Sequence, residues 1–370
     1  MKRIYSLDVL RGVAIMIMVF VDAPPGVAYP IFIHAPWEGL TFADFAFPGF
    51  VFAMGVSAAV STAKREPSIK KILKRVATLF AVGLIFNTIP FIFAWLIRPE
   101  FTAANFYSGA IEHMRFFGIL QRLALTYALG MLIVRFIRND LGILIAAFAM
   151  LIVSSAGFHL YAPDNPFAEA HNISRTVDYL FGANHIYLPS HDPEGLYGTV
   201  ASGASFLFGY LAGRVLIDTV TTTLGKIALL GVAAVIFLIA GEVWSAFDIV
   251  AKRLWTAPFA LITTGVESLL LAALLYLLDK FPSSETLLRP LCAIGFNPLF
   301  FFLLTNITLC LLYTIPAPDG GGNFYYWLFR ATFANLVSPE FGSMIFCALW
   351  CIIWLPFAEV LYRRGVIIKL

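Results

Sequence analysis

Residues 33–44 read IHAPWEGLTFAD, and the chain then continues to residue 63 as FAFPGFVFAMGVSAAVSTA. A histidine, a proline, a tryptophan and two carboxylates therefore stand at the mouth of an almost uncharged run, 41–63. A bilayer core about 30 Å thick takes about 20 apolar residues in helical form, so this run is long enough to cross one. Reading outward gives roughly ten such runs, near 7–25, 41–63, 72–97, 117–137, 141–160, 198–217, 224–244, 256–278, 291–315 and 341–361. The 370 residues are 60% hydrophobic and 13% charged, with a mean hydropathy of +0.85, which is foreign to soluble globular chains. The expected fold class is all-α: a polytopic transmembrane helix bundle of about ten spans, forming a single domain over 1–370. The first run carries Asp8 and Arg11 and is followed by PPG, so it is expected to remain in the mature protein rather than be cleaved as a leader. All four cysteines fall inside apolar runs, which suggests neither a disulfide framework nor a zinc site, and no metal is expected.

Orientation follows from the basic residues. With ten spans and residues 1–3 in the cytoplasm, 17 of the 25 Lys and Arg fall on the cytoplasmic side and six on the other, leaving Arg11 and Arg122 within runs. Both termini are thus expected in the cytoplasm. The formal charge of +3 is explained by these anchors and calls for no nucleic-acid partner. All six histidines fall on the exoplasmic side or at helix ends facing it, so proton chemistry near neutral pH is expected there. The longest polar interruption, 161–197, holds the turn-forming PDNP, GANH and HDPEG among aromatic residues and reads as an ordered exoplasmic cap. A second loop, 316–327, is glycine-rich and then aromatic, as an interfacial belt would be.

Ionisable groups inside spans are costly unless paired or hydrated and therefore mark candidate sites. They are Asp8, Arg11, Asp22, Asp44, Arg122, Glu242, Glu267 and Glu359. Asp8 and Arg11 are three residues apart on one helix face and can neutralise each other, while Arg11 near the cytoplasmic surface can also meet a phosphate. Asn87, Asn297 and Asn306 are amides able either to join helices or to bind a ligand. His34 precedes Pro36 and Gly39, and a partly helical path from His34 would put Asp44 about three turns deeper on a related face. Asp192 and Glu194 in HDPEGLYGT lie just before a span. One reading makes them caps of that helix; the other makes them acceptors for the hydroxyls and ammonium of an amino sugar.

The segments SLDVLRGVAIMIMVFVD, HAPWEGLTFADFAFPGFVFAMG, GILQRLALTYALG, HDPEGLYGT, LWTAPFALITTG, AIGFNPLFFFL and LYRRG occur in this order. Together they resemble the heparan-α-glucosaminide N-acetyltransferase family and its bacterial relatives, over nearly the whole chain but without the luminal N-terminal domain of the lysosomal enzyme. The resemblance implies a multi-pass protein of the bacterial inner membrane that takes acetyl-CoA as co-substrate from the cytoplasm and acetylates the amine of a glucosamine-type sugar on the other side. The family's active-site histidine falls on His34. A family asparagine at the end of the first span aligns with Asp22 or Ala23, and the family's Trp-Asn-Gly is Trp37-Glu38-Gly39 here.

On that reading His34 is the base or acetyl carrier, with Asp44 or Asp22 orienting it. Arg11, Arg122 and Asn297 are candidate contacts for the acetyl donor. Trp37, Glu38, Asp192 and Glu194 are candidate contacts for the sugar. Two other readings remain open: an amino-sugar transporter that makes no covalent change, and an O-acetyltransferase. The small-residue faces GVSAAVS and SGASFLFGYLAG would permit a homodimer.

Overall fold

The computed structural model describes residues 4–63, 66 and 68–368. The basic anchors at 2, 3, 64, 65 and 369 lie outside the described residues. Helices are the regular structure of the described residues, joined by several long connections. Its elements are α1 (Tyr5–Val21), α2 (Ala46–Thr62), α3 (Ile69–Ile97), α4 (Ala103–Tyr107), α5 (Ile119–Phe136), α6 (Asp140–Tyr161), α7 (Ile173–Tyr179) and α8 (Thr199–Ile217). They continue with α9 (Thr223–Trp244), α10 (Ala257–Lys280), α11 (Ser284–Phe296), α12 (Pro298–Thr314), α13 (Phe324–Thr332), α14 (Pro339–Ile352) and α15 (Leu355–Arg363).

Eight helical segments are long and apolar enough to cross a membrane, or nine if α11 and α12 count as one. The sequence-derived run 291–315 is therefore two helices meeting at 78°. The cause is local: Pro298 has no N–H to continue the ladder and disfavours helical geometry at the residue before it, and Asn297 sits at φ −134°, ψ 59°. The Asn297 side chain then uses the break, donating from Nδ2 to Val366 O at 2.9 Å and accepting from Ile368 N at 2.8 Å, so it holds the C-terminal tail. With 17 residues, α1 is short for a span, and near its start Asp8 and Arg11 pair at 3.0 Å.

Among the candidate spans the most buried are α2 and α8 and the least buried is α3. Small residues set the α2–α8 distance: a Cβ on Gly55 would collide with the Phe206 carbonyl, and one on Gly209 with the Phe52 carbonyl. The two small-residue faces expected to serve association between copies are thus spent inside one chain, where backbones approach closely. Of the three glutamates read as buried in spans, only Glu267 is, against Gly49. Glu242 lies exposed on α9, and Glu359 pairs at 2.6 Å with both Arg289 and Arg363.

Both described ends of the chain lie at one end of the bundle. Five long connections, 22–45, 98–118, 162–198, 245–256 and 315–338, gather at the other and lock together. Trp37 Nε1 donates to Phe167 O at 2.9 Å, Gly39 N to Val250 O at 2.8 Å, His185 Nδ1 to Met114 O at 2.8 Å and Tyr325 Oη to Ala23 O at 2.5 Å. Because buried backbone groups must find partners, this cross-bonding lets long irregular segments form a fixed lid over the helices.

Candidate active site at the loop end

The loop after α1 turns at Gly26, whose φ of +82° and whose contact with the Tyr326 ring leave no room for a side chain. It then reaches His34. Residues 34–44 are not a helix that carries Asp44 deeper. The chain folds back, and a single 3₁₀ turn, Phe42–Phe45, returns the carboxylate to the histidine. Asp44 Oδ1 lies 2.9 Å from His34 Nδ1, while Oδ2 accepts from Thr41 N at 2.9 Å and Ala35 N at 3.2 Å. Thr41 supplies the turn: its own N–H needs an acceptor three residues on, and Asp44 is there. With Asp44 fully buried and accepting at Nδ1–H, the ring is fixed and its Nε2 is turned towards Lys252.

His34 opens into a cavity of about 510 Å³ together with Asp22, Arg115, Glu194, Lys252, Arg253 and Asn306. Lys252 Nζ lies 3.0 Å from His34 Nδ1, 3.1 Å from His34 Nε2 and 3.8 Å from Asp44 Oδ1. Burial pulls the Lys252 amine below its ordinary range, opposed by Asp44, Glu194 and Asp22. The turn bearing Lys252 and Arg253 ends at Trp255, a fully buried residue in the left-handed region at φ 52°. That conformation is costly for a bulky side chain, and it persists because Trp255 Nε1 donates to Ser205 Oγ at 3.2 Å and the ring is boxed by Phe47 and Phe259.

Arg115 bridges Asp192, at 2.6 Å, and Glu194, and its charge is held firmly by them. Burial alone would raise the Glu194 carboxyl; Arg115 and Arg122 keep it below its ordinary value. Neither Asp192 nor Glu194 caps α8. Asp192 instead accepts from Tyr187 N and Glu194 N, both at 3.0 Å, so the capping reading gives way to one in which the pair seats Arg115.

Asp22, His34 and Glu194 thus share one cavity, with Asp44 and Asp192 directly behind it. Trp37 is elsewhere, edge-on to His191 and bonded into the lid, and Glu38 is exposed away from the cavity. Arg122 is buried below the lid, donating from Nη2 to Gly195 O at 2.7 Å and lying 5.3 Å over the Trp255 ring. The remaining candidates, Arg11 and Asn297, line a second cavity of about 330 Å³ at the terminal end, joined there by Arg75, Ser57 and Ser61. Lys252, Arg253, Arg115 and Arg75 had entered the sequence reading only as topology charges. The available signal for Lys252, Arg253 and Arg115 was that basic residues on the sparsely charged side need a local reason to be there; Arg75, on the densely charged side, carried none.

The two cavities lie end to end. On α2, Ala46 lines one and Phe50 the other; on α5, Ile119 and Leu123; on α1, Met18 and Arg11; on α3, Phe86 and Leu79; on α12, Asn306 and Leu299. Spacings of four and seven keep each pair on one helix face, one or two turns apart, which is about 5–10 Å. At the junction lie the Phe86 and Phe302 rings, 5.8 Å apart, and the buried Gln121 and Thr305.

A model of the acyltransferase domain family matches residues 4–284. The chain belongs to this acyltransferase family. It is also similar to heparan-α-glucosaminide N-acetyltransferase of Homo sapiens, 36% identical over 134 residues, covering 34% of the chain and 18% of that protein. The mouse (Mus musculus) protein of the same name is 27% identical over 273 residues, covering 58% of the chain and 39% of that protein. The chain therefore spans well under half the length of these curated relatives. In this acyltransferase the family match includes the His34 loop, Arg115, Glu194 and Lys252 and ends before α12, so the wall bearing Asn297 and Asn306 lies outside it.

Proposed function

We propose that this acyltransferase moves an acetyl group from acetyl-CoA to the amine of a glucosamine-type sugar across the membrane. The observation carrying this reading is the His34–Asp44 pair at the floor of a polar cavity that lies in line with a cationic cavity at the other end. Arg11, Arg75 and Asn297 suit the phosphates and nucleotide of the donor, since guanidinium groups match phosphate oxygens. A thin pantetheine arm fits a junction of this kind and brings the thioester towards His34. The acceptor nitrogen then bonds to the acetyl carbon as the C–S bond breaks. His34 Nε2 takes the amine proton and returns it to the departing thiolate, or first carries the acetyl group itself. Asp44 holds the ring, and Lys252 stands where it can donate to the oxyanion.

The excess of Lys and Arg at the terminal end supports a cytoplasmic donor side and an exoplasmic acceptor side in a bacterial inner membrane. The names of the two relatives support the sugar and the N-acetyl product. The test uses protein in lipid nanodiscs with radiolabelled acetyl-CoA and glucosamine, wild type beside His34→Ala. Label appearing in alkali-stable N-acetyl sugar only with wild type, while the variant still binds acetyl-CoA, supports the reading. Sugar binding without any label transfer moves the protein to transport, and alkali-labile label moves it to O-acetylation.

A further inference from the structure

A third cavity, about 420 Å³, adjoins the His34 cavity and shares Phe86, Arg115, Tyr187 and Asn306 with it. Its polar end is at Arg115, His113, Asn306 and Asn87, the last donating to Arg115 O at 2.9 Å; the rest of its wall is apolar, from Ile89, Pro90 and Phe91 on α3 and Ile307 and Cys310 on α12. Helix α3 is the least buried of the candidate spans, and Pro90, which lines the cavity, is exposed on it, so this end of the cavity lies at the outer side of the bundle. Pro90 lies inside α3 and removes the hydrogen bond its N–H would make to the Phe86 carbonyl, which loosens the helix beside the cavity. Transfer from acetyl-CoA to a free, water-soluble sugar has no use for this space. The donor path already runs down the bundle axis, and a polar sugar gains nothing from an apolar slot.

We infer that the acceptor is amphipathic: an amino sugar carried on an apolar chain, the sugar entering the His34 cavity and the chain leaving between α3 and α12 into the bilayer. The inference rests on the acetyl-transfer reading above and names its substrate class. A lipid-facing slot joined to a polar reaction chamber orients such an acceptor by its two ends, since a chain in hydrocarbon and a sugar among Arg115, Glu194 and Asn306 cannot be exchanged without loss at both.

The test uses the full chain in lipid nanodiscs with labelled acetyl-CoA and two acceptors, decyl β-glucosaminide and free glucosamine. Filling the slot with Ile307→Trp or Cys310→Phe, neither at the reacting atoms, is expected to lower kcat/KM for the decyl acceptor about tenfold, as overpacking costs of 1–3 kcal/mol imply. Transfer to free glucosamine should stay within about twofold on the same scale. Equal effects on both acceptors, or none on either, overturn the inference while leaving acetyl transfer standing.

A second measurement does not depend on transfer. A decyl glucosaminide with a diazirine at the chain end should label residues 86–91 or 306–310, displaced by unmodified decyl glucosaminide but not by decyl glucoside. Label spread evenly around the bundle overturns the slot. Specific label with no acetylation of any acceptor keeps the slot and removes the proposed reaction.

Discussion

The cavities at the two ends of this acyltransferase are made in opposite ways. At the terminal end Arg11 and Arg75 face the space with serines and an amide, and Asp8 is turned to Arg11 within α1. At the loop end acids and bases alternate around His34: Asp44 from its own connection, Lys252 from another, and Arg115 held by Asp192 from a third. The first arrangement can hold an anion and do little else. The second can move a proton and stabilise changing charge, because its donors and acceptors are fixed before any substrate arrives.

The contrast is sharpest in what each end should lose on mutation. His34→Ala is expected to lower acetyl transfer by on the order of 10³-fold without weakening acetyl-CoA binding. Equilibrium binding of acetyl-CoA and single-turnover label transfer separate the two quantities, and a parallel loss of binding would make His34 part of the donor site instead. Asp44→Asn keeps the volume but allows the ring to turn, so a loss of about 10–100-fold is expected. The double variant should be no slower than His34→Ala alone, because a residue that acts through another adds nothing once that other is gone. An additive double variant would give Asp44 a separate task.

At the terminal end the expected losses are smaller and of another kind. Arg75 is exposed and free to reach a phosphate, stacked at 4.6 Å on Tyr127. Arg75→Gln should raise KM for acetyl-CoA about tenfold with kcat unchanged, the worth of one charge-assisted hydrogen bond. The effect should shrink at high salt. Arg11 is a poorer probe, since its removal would also leave Asp8 buried beside α11. A fall in kcat with unchanged KM in Arg75→Gln would mean that the two ends are not divided as described.

The same division governs how much could be read in the sequence. Apolar runs and the polar lid were legible because hydropathy and residue type are local properties, whereas His34 was singled out by the family resemblance. Pairing across connections was not. Lys252 reaches His34 from 218 residues away, and Arg115 joins Asp192 across 77, so no spacing rule could have brought them together. Asp44 shows the limit at short range. Read with helical periodicity it lay deeper than His34, and only the 3₁₀ turn from Thr41 brings it back alongside. The break at Asn297 was hidden differently: an apolar count cannot see a proline that bends a run without making it polar.

The charge density of the loop end should also carry a cost in stability, and Asp178 is where it is measurable. This fully buried carboxyl accepts from Leu196 N at 2.8 Å, and Gly195 is packed against it too closely for any side chain. Burial and the nearby Asp192 push it up to about 7 from an ordinary 3.8, against the pull of Leu196 and Arg122. The folded state therefore prefers the protonated acid. The stability this gives is fully present below the unfolded value near 4 and is lost as the pH rises through about 7. Asp178→Asn keeps the acceptor for Leu196 but cannot ionise. The variant should match wild type in thermal unfolding below about pH 4 and exceed it by a few °C at pH 8. A variant that is less stable at both values would mean that the ionised carboxylate is needed, as a counter-charge to the buried Arg122, more than its burial costs.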